Sequence, residues 1–177
     1  MSTTAFGYSL WLVPTGSIYC SLAERIQEFS KVYAFQSFAP HVTILGKIVG
    51  DPTKLALRTR RIAQEIHAFP VTLGNVGYSR EFYRPIFIEV DRTPEVLAAR
   101  SAACHAFEQG SIKNYLPHMS IAYGPLDSGA KVAITSQLSI FKRVSFTVDR
   151  IHLVLTEGDI SKWRVILEEP LPQLLGV

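Results

Sequence analysis

The chain has 177 residues, 47% of them hydrophobic and 19% charged, which is typical of a folded protein and excludes a disordered or collagen-like chain. Its net charge of +3 comes without any basic run longer than Arg60 and Arg61, so a stable partner with a long nucleic-acid backbone is not expected. No apolar stretch approaches the roughly 20 residues of a membrane-spanning helix. We therefore expect one domain over residues 1–177, a monomer without a membrane partner.

The cysteines and the N-terminal residues bear on the compartment. No basic residue precedes the short apolar stretch 8–14, so we interpret this stretch as a strand and not as a secretory signal. Cys20 and Cys104 have neither CxxC nor Cys/His zinc spacing. This usage favours two thiols in a cytoplasmic protein, and it leaves their pairing open because the sequence does not give their separation.

Strands and helices alternate along the chain. Period-two patterns and β-branched residues predict strands at 7–13, 41–48, 71–78, 85–90, 118–124, near 144–155 and at 162–168. Helical spacing and start signals predict helices at 18–34, 53–67, 93–109 and 128–138, with Thr53 as the N-cap of the second. No linker rich in Gly, Ser or Pro divides the chain, which favours one globule with two lobes.

Two seven-residue segments match position by position when the halves of the chain are aligned. Phe38–Ile44 and Tyr115–Ile121 both have the order aromatic, apolar, Pro, His, apolar, hydroxyl, Ile. A histidine followed two residues later by Ser or Thr is common by chance, but a proline before both histidines is rare. The complete repeat is therefore a strong signal.

The repeat has a geometric meaning on strands, where residues i and i+2 point to the same face. His41 shares a face with Thr43, and His118 shares one with Ser120. Two such strands side by side would form a concave site with two imidazoles and two hydroxyls. An imidazole exchanges protons near neutral pH, and hydroxyls bond phosphoryl oxygens. Two histidines on opposite sides of a phosphorus would permit in-line displacement, which needs no metal and no cofactor.

The PHVT and PHMS motifs resemble the paired motifs of the 2H phosphoesterase superfamily, and the resemblance covers nearly the whole chain. The plant and fungal cyclic phosphodiesterases are the most similar members. The shared segments occur in the expected order and spacing: SLWL, FAPHVT, RTPEV and YLPHMSIAYG. This resemblance implies an α+β, bilobal, pseudo-twofold fold in which two antiparallel sheets form a central cleft with helices outside.

The resemblance also implies an activity. It suggests a small nucleotide substrate with a cyclic phosphate: a 2′,3′-cyclic nucleotide opened to the 2′-phosphate, and ADP-ribose 1″,2″-cyclic phosphate from tRNA splicing. His41 and His118 would be the acid/base pair, and Thr43 and Ser120 would hold the phosphate. The second motif has Ser where the family pattern has Thr, which this role tolerates. Which histidine is the acid stays open, and the direction of ring opening comes from the resemblance alone.

Aromatic and basic residues supply further binding candidates. Trp11, Tyr83 and Tyr123 could stack on a base, because an aromatic face binds any nucleobase. Trp11 is equally well explained as a core residue. Arg80 and Arg84 could attract phosphate, but we interpret them as part of a solvated loop.

Several alternatives stay open. His41 and His118 could be core histidines bonded to backbone carbonyls. His67, His105 and His152 lack a hydroxyl two residues later, so we interpret them as structural or surface residues. The function could also be that of a 2H relative acting on RNA ends or 2′,5′-linked oligonucleotides. A module of another class could bind a phosphorylated ligand without turning it over.

Overall fold

The computed structural model describes residues 5–173, which contain the four predicted α-helices and eight strands, one strand more than the sequence predicts. The strands are β1 Tyr8–Leu12, β2 Val42–Ile48, β3 Phe69–Tyr78, β4 Ile86–Val90, β5 His118–Ala122, β6 Ser145–Val148, β7 Arg150–Leu155 and β8 Arg164–Pro170. The helices are α1 Gly16–Tyr33, α2 Pro52–Glu65, α3 Pro94–Phe107 and α4 Ser128–Gln137.

Local chemistry explains where the helices begin. The Thr93 hydroxyl accepts from the Val96 backbone N–H at the start of α3, and a proline occupies the first helical position. Helix α2 begins in the same way, but its cap is Asp51 and not the predicted Thr53. Pro52 has no N–H to leave unpaired, so the helix starts one residue earlier than the Thr53 pattern indicates.

All eight strands belong to one antiparallel sheet, with the order β6-β3-β4-β5-β2-β1-β7-β8. The α+β class is confirmed, but the prediction of two separate sheets is wrong. We call the halves β6-β3-β4-β5 and β2-β1-β7-β8 of this sheet its two lobes; they meet where β2 pairs with β5, Val42 opposite Met119. The order is pseudo-twofold about that pair, because β1 flanks β2 as β4 flanks β5.

The stretch 144–155 is two strands and not one. Strand β6 pairs with β3 at one end of the sheet, whereas β7 lies between β1 and β8 near the other end. Asp149 alone separates them. Neighbouring strands are about 4.8 Å apart, so a flat sheet would hold β6 and β7 about 30 Å apart, beyond the reach of one residue. The sheet must therefore curl until β6 and β7 come together at Asp149.

One face of the central strands lies in the apolar core. Val42 and Ile44 of β2, and Met119 and Ile121 of β5, have no exposed surface and share one apolar cluster with side chains of the helices. Helix α3 packs against β2 and helix α1 packs against β5. The opposite face of these two strands is then available for the polar residues of the repeat.

The cysteines and the helices can be compared with the expectations from the sequence. Cys20 is exposed and Cys104 is half-buried, and both are free thiols. Within residues 5–173, no helix has the length and apolar character that crossing a membrane requires.

The core beneath the repeat should be sensitive to the loss of methyl groups. Val42 is 0% exposed, whereas Val49 is 75% exposed just after the same strand. We expect Val42→Ala to lower the free energy of unfolding by about 2 kcal/mol, because a buried valine loses packing and leaves a cavity. The same substitution at Val49 should change it by less than about 0.5 kcal/mol. Urea denaturation measures both, and equal effects would contradict this packing.

Candidate active site

The two repeats meet side by side on one face of the sheet. Because Val42 is opposite Met119 in an antiparallel pair, His41 lies beside Ser120 and Thr43 lies beside His118. Residues opposite one another on paired strands share a face, with Cβ atoms about 5 Å apart. The structure therefore brings all four polar residues of the repeat together at the junction of the two lobes.

Each histidine is anchored by the carbonyl two residues before it. The Nδ1 atom of His41 lies 2.7 Å from the Ala39 carbonyl oxygen, and that of His118 lies 2.8 Å from the carbonyl oxygen of Leu116. A carbonyl only accepts, so Nδ1 carries the proton in both rings. In the neutral ring Nε2 is then the free acceptor, and no hydrogen bond within residues 5–173 occupies it. The same orientation at both sites leaves both Nε2 atoms for the chemistry.

The proline of each repeat explains this shared anchor. Pro40 and Pro117 stand between each anchoring carbonyl and its histidine. A proline fixes its own φ and holds the residue before it extended. The prolines thus fix the path of the chain between each histidine and the carbonyl that orients it.

An aromatic ring lies against each histidine. Trp11 stacks flat on His41, with ring centroids 3.6 Å apart and planes at 12°. Phe87 meets His118 edge-on, with centroids 5.6 Å apart and planes at 72°. Trp11 is paired with Thr43 across the strands, as Phe87 is with Ser120, so the two aromatics are pseudo-twofold equivalents.

Burial lowers the pKa of both imidazoles, so both rings are neutral at pH 7. The His41 side chain lies under Trp11, the residue is 5% exposed, and burial lowers its pKa to about 4. The pKa of His118 is lowered too, chiefly by burial, with the nearby Arg84 cation adding to the shift. The hydrogen bond to the backbone carbonyl opposes the shift in both rings, because it favours the protonated form.

The two hydroxyls are held differently. Ser120 is buried, and its Oγ donates to the Tyr83 carbonyl oxygen at 2.9 Å. Thr43 is half-buried, and its backbone carbonyl accepts from the Tyr115 hydroxyl at 3.0 Å. Tyr115 is the aromatic residue of the second repeat, so that repeat helps to fix the strand of the first.

The predicted aromatic residues lie in one cluster around the histidines. Tyr123 is buried and stacks on Phe38 at 3.8 Å, and burial raises the pKa of its hydroxyl, a shift that the nearby Ser120 side chain opposes. Tyr83 is half-buried and lies 5.3 Å from Tyr123 between ring centroids. Trp11 is buried with one face covered by His41.

Trp163 belongs to this cluster, although the sequence did not point to it. Its ring lies 6.0 Å from Trp11, 6.1 Å from Tyr83 and 5.9 Å from Tyr123. Its indole N–H is buried without a hydrogen-bond partner. No motif surrounds Trp163 in the sequence, and only the pairing of β8 with β7 carries it to the site.

His152 also lies on this face and was missed as a neighbour of His41. It is opposite Trp11 on β7, is buried, and is close enough for its charge to lower the pKa of His41. Its Nδ1 lies 4.0 Å from a Glu168 carboxylate oxygen, and its Nε2 is buried without a partner. Alternation with Ile151 and Leu153 would have predicted a strand face, but not the pairing of that strand with β1.

Among residues 5–173, no group of three His, Cys, Asp or Glu side chains is arranged to hold a metal ion.

Comparison with known proteins places this geometry in a family. The family model described as the 2′-5′ RNA ligase superfamily matches residues 18–160. The chain belongs to the 2′-5′ RNA ligase superfamily. The resemblance to the 2H phosphoesterases, which the two motifs carry, is thereby confirmed. Both motifs lie within the matched residues, as do all strands from β2 to β7.

Two named relatives match nearly the whole chain at low sequence identity. It is 21% identical over 168 residues to a cyclic phosphodiesterase of Arabidopsis thaliana, covering 90% of this chain and 92% of that protein. It is 23% identical over 210 residues to a 2′,3′-cyclic-nucleotide 3′-phosphodiesterase of Yarrowia lipolytica, covering 90% of this chain and 97% of that protein.

Solved structures share the fold. A Thermus thermophilus protein superposes with a TM-score of 0.64 at 15% identity, covering 94% of this chain and 98% of that one. E. coli LigT in complex with 3′-AMP superposes with a TM-score of 0.59 at 15% identity, covering 97% and 100%. The LigT-like fold of this superfamily member is therefore shown over nearly its whole length.

The buried neutral His41 should make the protein sensitive to acid. The folded protein holds His41 neutral down to about pH 4, whereas the unfolded chain protonates it below about pH 6.5, so the unfolded state binds more protons in that window. The free energy of unfolding should therefore decrease as the pH is lowered from 7 to 4. We expect the His41 contribution to this fall to be about 3 kcal/mol between pH 7 and 4.

Urea denaturation of the native chain and of His41→Ala at pH 7 and pH 4 measures this contribution. The His41→Ala chain should lose less stability on acidification than the native chain. His67→Ala, at an exposed residue, controls for the removal of an imidazole. An identical loss in the native chain and in His41→Ala would contradict the burial of a neutral ring at this position.

Proposed function

We propose that this protein is a cyclic phosphodiesterase. It hydrolyses 2′,3′-cyclic nucleotides to nucleoside 2′-phosphates, and ADP-ribose 1″,2″-cyclic phosphate to ADP-ribose 1″-phosphate, by two-histidine acid/base catalysis without a metal. The observation that carries the proposal is the matched anchoring of His41 and His118 at the junction of the lobes, with Nδ1 bonded and Nε2 free in both rings. The names of the two distant relatives agree with this activity.

The arrangement suits in-line displacement at phosphorus. One Nε2 accepts a proton from water as the water oxygen attacks phosphorus. The other Nε2, protonated beforehand, gives its proton to the leaving 3′ oxygen as the ring P–O bond breaks. One histidine ends protonated and the other neutral, so the net reaction consumes one water, and proton exchange with solvent resets the pair. The nucleoside 2′-phosphate is released.

The other site residues support this reaction in the proposal. Each hydroxyl lies beside the histidine of the other repeat, and Thr43 can donate to a phosphoryl oxygen. The Ser120 hydroxyl can do the same once it releases the Tyr83 carbonyl oxygen. Trp11, Tyr83 and Trp163 supply aromatic surface for the nucleoside.

The pH dependence should reflect the lowered pKa of both histidines. The profile of kcat/KM reports the base and the acid of the free enzyme, and its maximum lies midway between their pKa values. Because burial lowers the pKa of His41 to about 4 and also lowers that of His118, the maximum should lie below pH 6.5. This expectation holds whichever histidine is the acid. A maximum above pH 7 would contradict the burial-based account of the pair.

Phosphorus NMR tests the proposed reaction directly. A nucleoside 2′,3′-cyclic phosphate is incubated in EDTA with the native chain, His41→Ala, His118→Ala and the exposed control His67→Ala. We expect conversion to the 2′-phosphate by the native chain and the control, and a loss of at least about a hundredfold in each active-site variant, because the acid and base steps each contribute about 10²–10⁴ in rate. No conversion by the native chain, or full conversion by His41→Ala or His118→Ala, would contradict the two-histidine mechanism and favour a binding module.

A further inference from the structure

Arg84 is not the solvated loop residue that the sequence suggested. Its side chain is 22% exposed, and its guanidinium carbon lies 5.1 Å over the ring of Phe87. The same ring meets His118 edge-on at 5.6 Å. Arg80, four residues earlier in the same loop, is exposed. Only one of the two loop arginines therefore lies against the candidate active site.

The charge of Arg84 acts on the site. It lowers the pKa of His118, and the carboxylate of Glu81 opposes it. Among the groups described in residues 5–173, no other cationic side chain contributes to the pKa shift of either repeat histidine, apart from the histidines themselves. Arg84 is thus the permanent positive charge that a phosphate beside His118 would meet.

The guanidinium is incompletely bonded. Its Nη2 donates to a Glu81 carboxylate oxygen at 2.6 Å, whereas its Nε is buried without a partner. An arginine edge presents two N–H donors at the spacing of two oxygens on one phosphoryl group. Glu81 uses only one of the two donors and is itself 66% exposed, so its carboxylate can turn into water. The Glu81 carboxylate therefore makes one hydrogen bond at an arginine edge where a phosphoryl group could make two.

The loop that carries Arg84 is braced against the second motif. Ser79 Oγ donates to the Arg84 carbonyl oxygen at 2.6 Å and accepts from the Glu81 N–H. The Tyr83 carbonyl accepts from Ser120 Oγ. The Gly124 N–H donates to the Phe82 carbonyl at 2.8 Å. These bonds fix the backbone of Arg84 relative to β5, so the guanidinium is held beside the site before any ligand arrives.

We propose that Arg84 is a substrate-binding residue whose guanidinium takes two phosphoryl oxygens of the bound nucleotide in place of the Glu81 carboxylate. The identity of that nucleotide rests on the proposed function, whereas the anion site itself does not. Exchange of one carboxylate contact for a two-oxygen contact satisfies the buried Nε. It also places a fixed positive charge where negative charge develops on phosphorus.

Binding of adenosine 2′-monophosphate and of inorganic phosphate, measured by calorimetry at one ionic strength, tests the site without turnover. Arg84→Ala should weaken both by at least tenfold, and the matched control Arg80→Ala, with the same charge change in the same loop, by less than twofold. Glu81→Gln should tighten both by twofold or more, because the competing carboxylate is gone. Arg84→Lys should lie between Arg84→Ala and the native chain, since a lysine keeps the charge but loses the two-donor edge.

Circular dichroism and thermal unfolding establish that each variant is folded. If Arg84→Ala does not fold, the weaker binding expected of Arg84→Lys tests the proposal instead. Equal weakening by Arg84→Ala and Arg80→Ala would overturn the proposal, as would native affinity in Arg84→Lys. A native chain that binds phosphate through Arg84 but opens no cyclic nucleotide would refute the proposed function and leave this site standing.

Discussion

The antiparallel contact between Val42 and Met119 is the point on which the whole site depends. It joins the two lobes into one sheet and sets each repeat histidine beside the hydroxyl of the other repeat. Farther along β2, side chains take over as hydrogen-bond partners. Tyr115, Arg100 and Gln109 donate to the carbonyls of Thr43, Ile44 and Gly46. These side chains therefore satisfy carbonyls of β2 beyond its one residue pair with β5.

The pseudo-twofold symmetry gives the two histidines the same backbone anchor but different neighbouring side chains. Trp11 covers His41 flat, whereas Phe87 tilts away from His118. The tilt depends on Gly77 opposite Phe87, because a Cβ there would lie 2.5 Å from the phenyl ring. At the equivalent place beside Trp11 the chain has His152. An acid and a base must hold different protonation states at one pH, so environments that differ on a symmetric frame suit that chemistry.

The sequence predicts those parts of the site that depend on local pattern. Strand periodicity alone places His41 with Thr43 and His118 with Ser120, and turn and cap residues locate the helices within a few residues. Pairing between distant strands is not encoded locally. Hence the single sheet, the break at Asp149 inside the predicted strand 144–155, and the position of Trp163 at the site could not be predicted. The position of Arg84 beside the site could not be predicted for a similar reason, because its burial depends on Phe87 and on a loop that Ser120 holds by a hydrogen bond.

The central claim is that both Nε2 atoms converge on one phosphate. Nitrogen-15 NMR of the histidine rings, during titration with adenosine 2′-monophosphate, tests it most directly. The account predicts Nδ1–H tautomers for both His41 and His118 in the free protein. It also predicts that the Nε2 signals of both rings move together along one binding curve. Movement of only one ring, or an Nε2–H tautomer in either free ring, would contradict it.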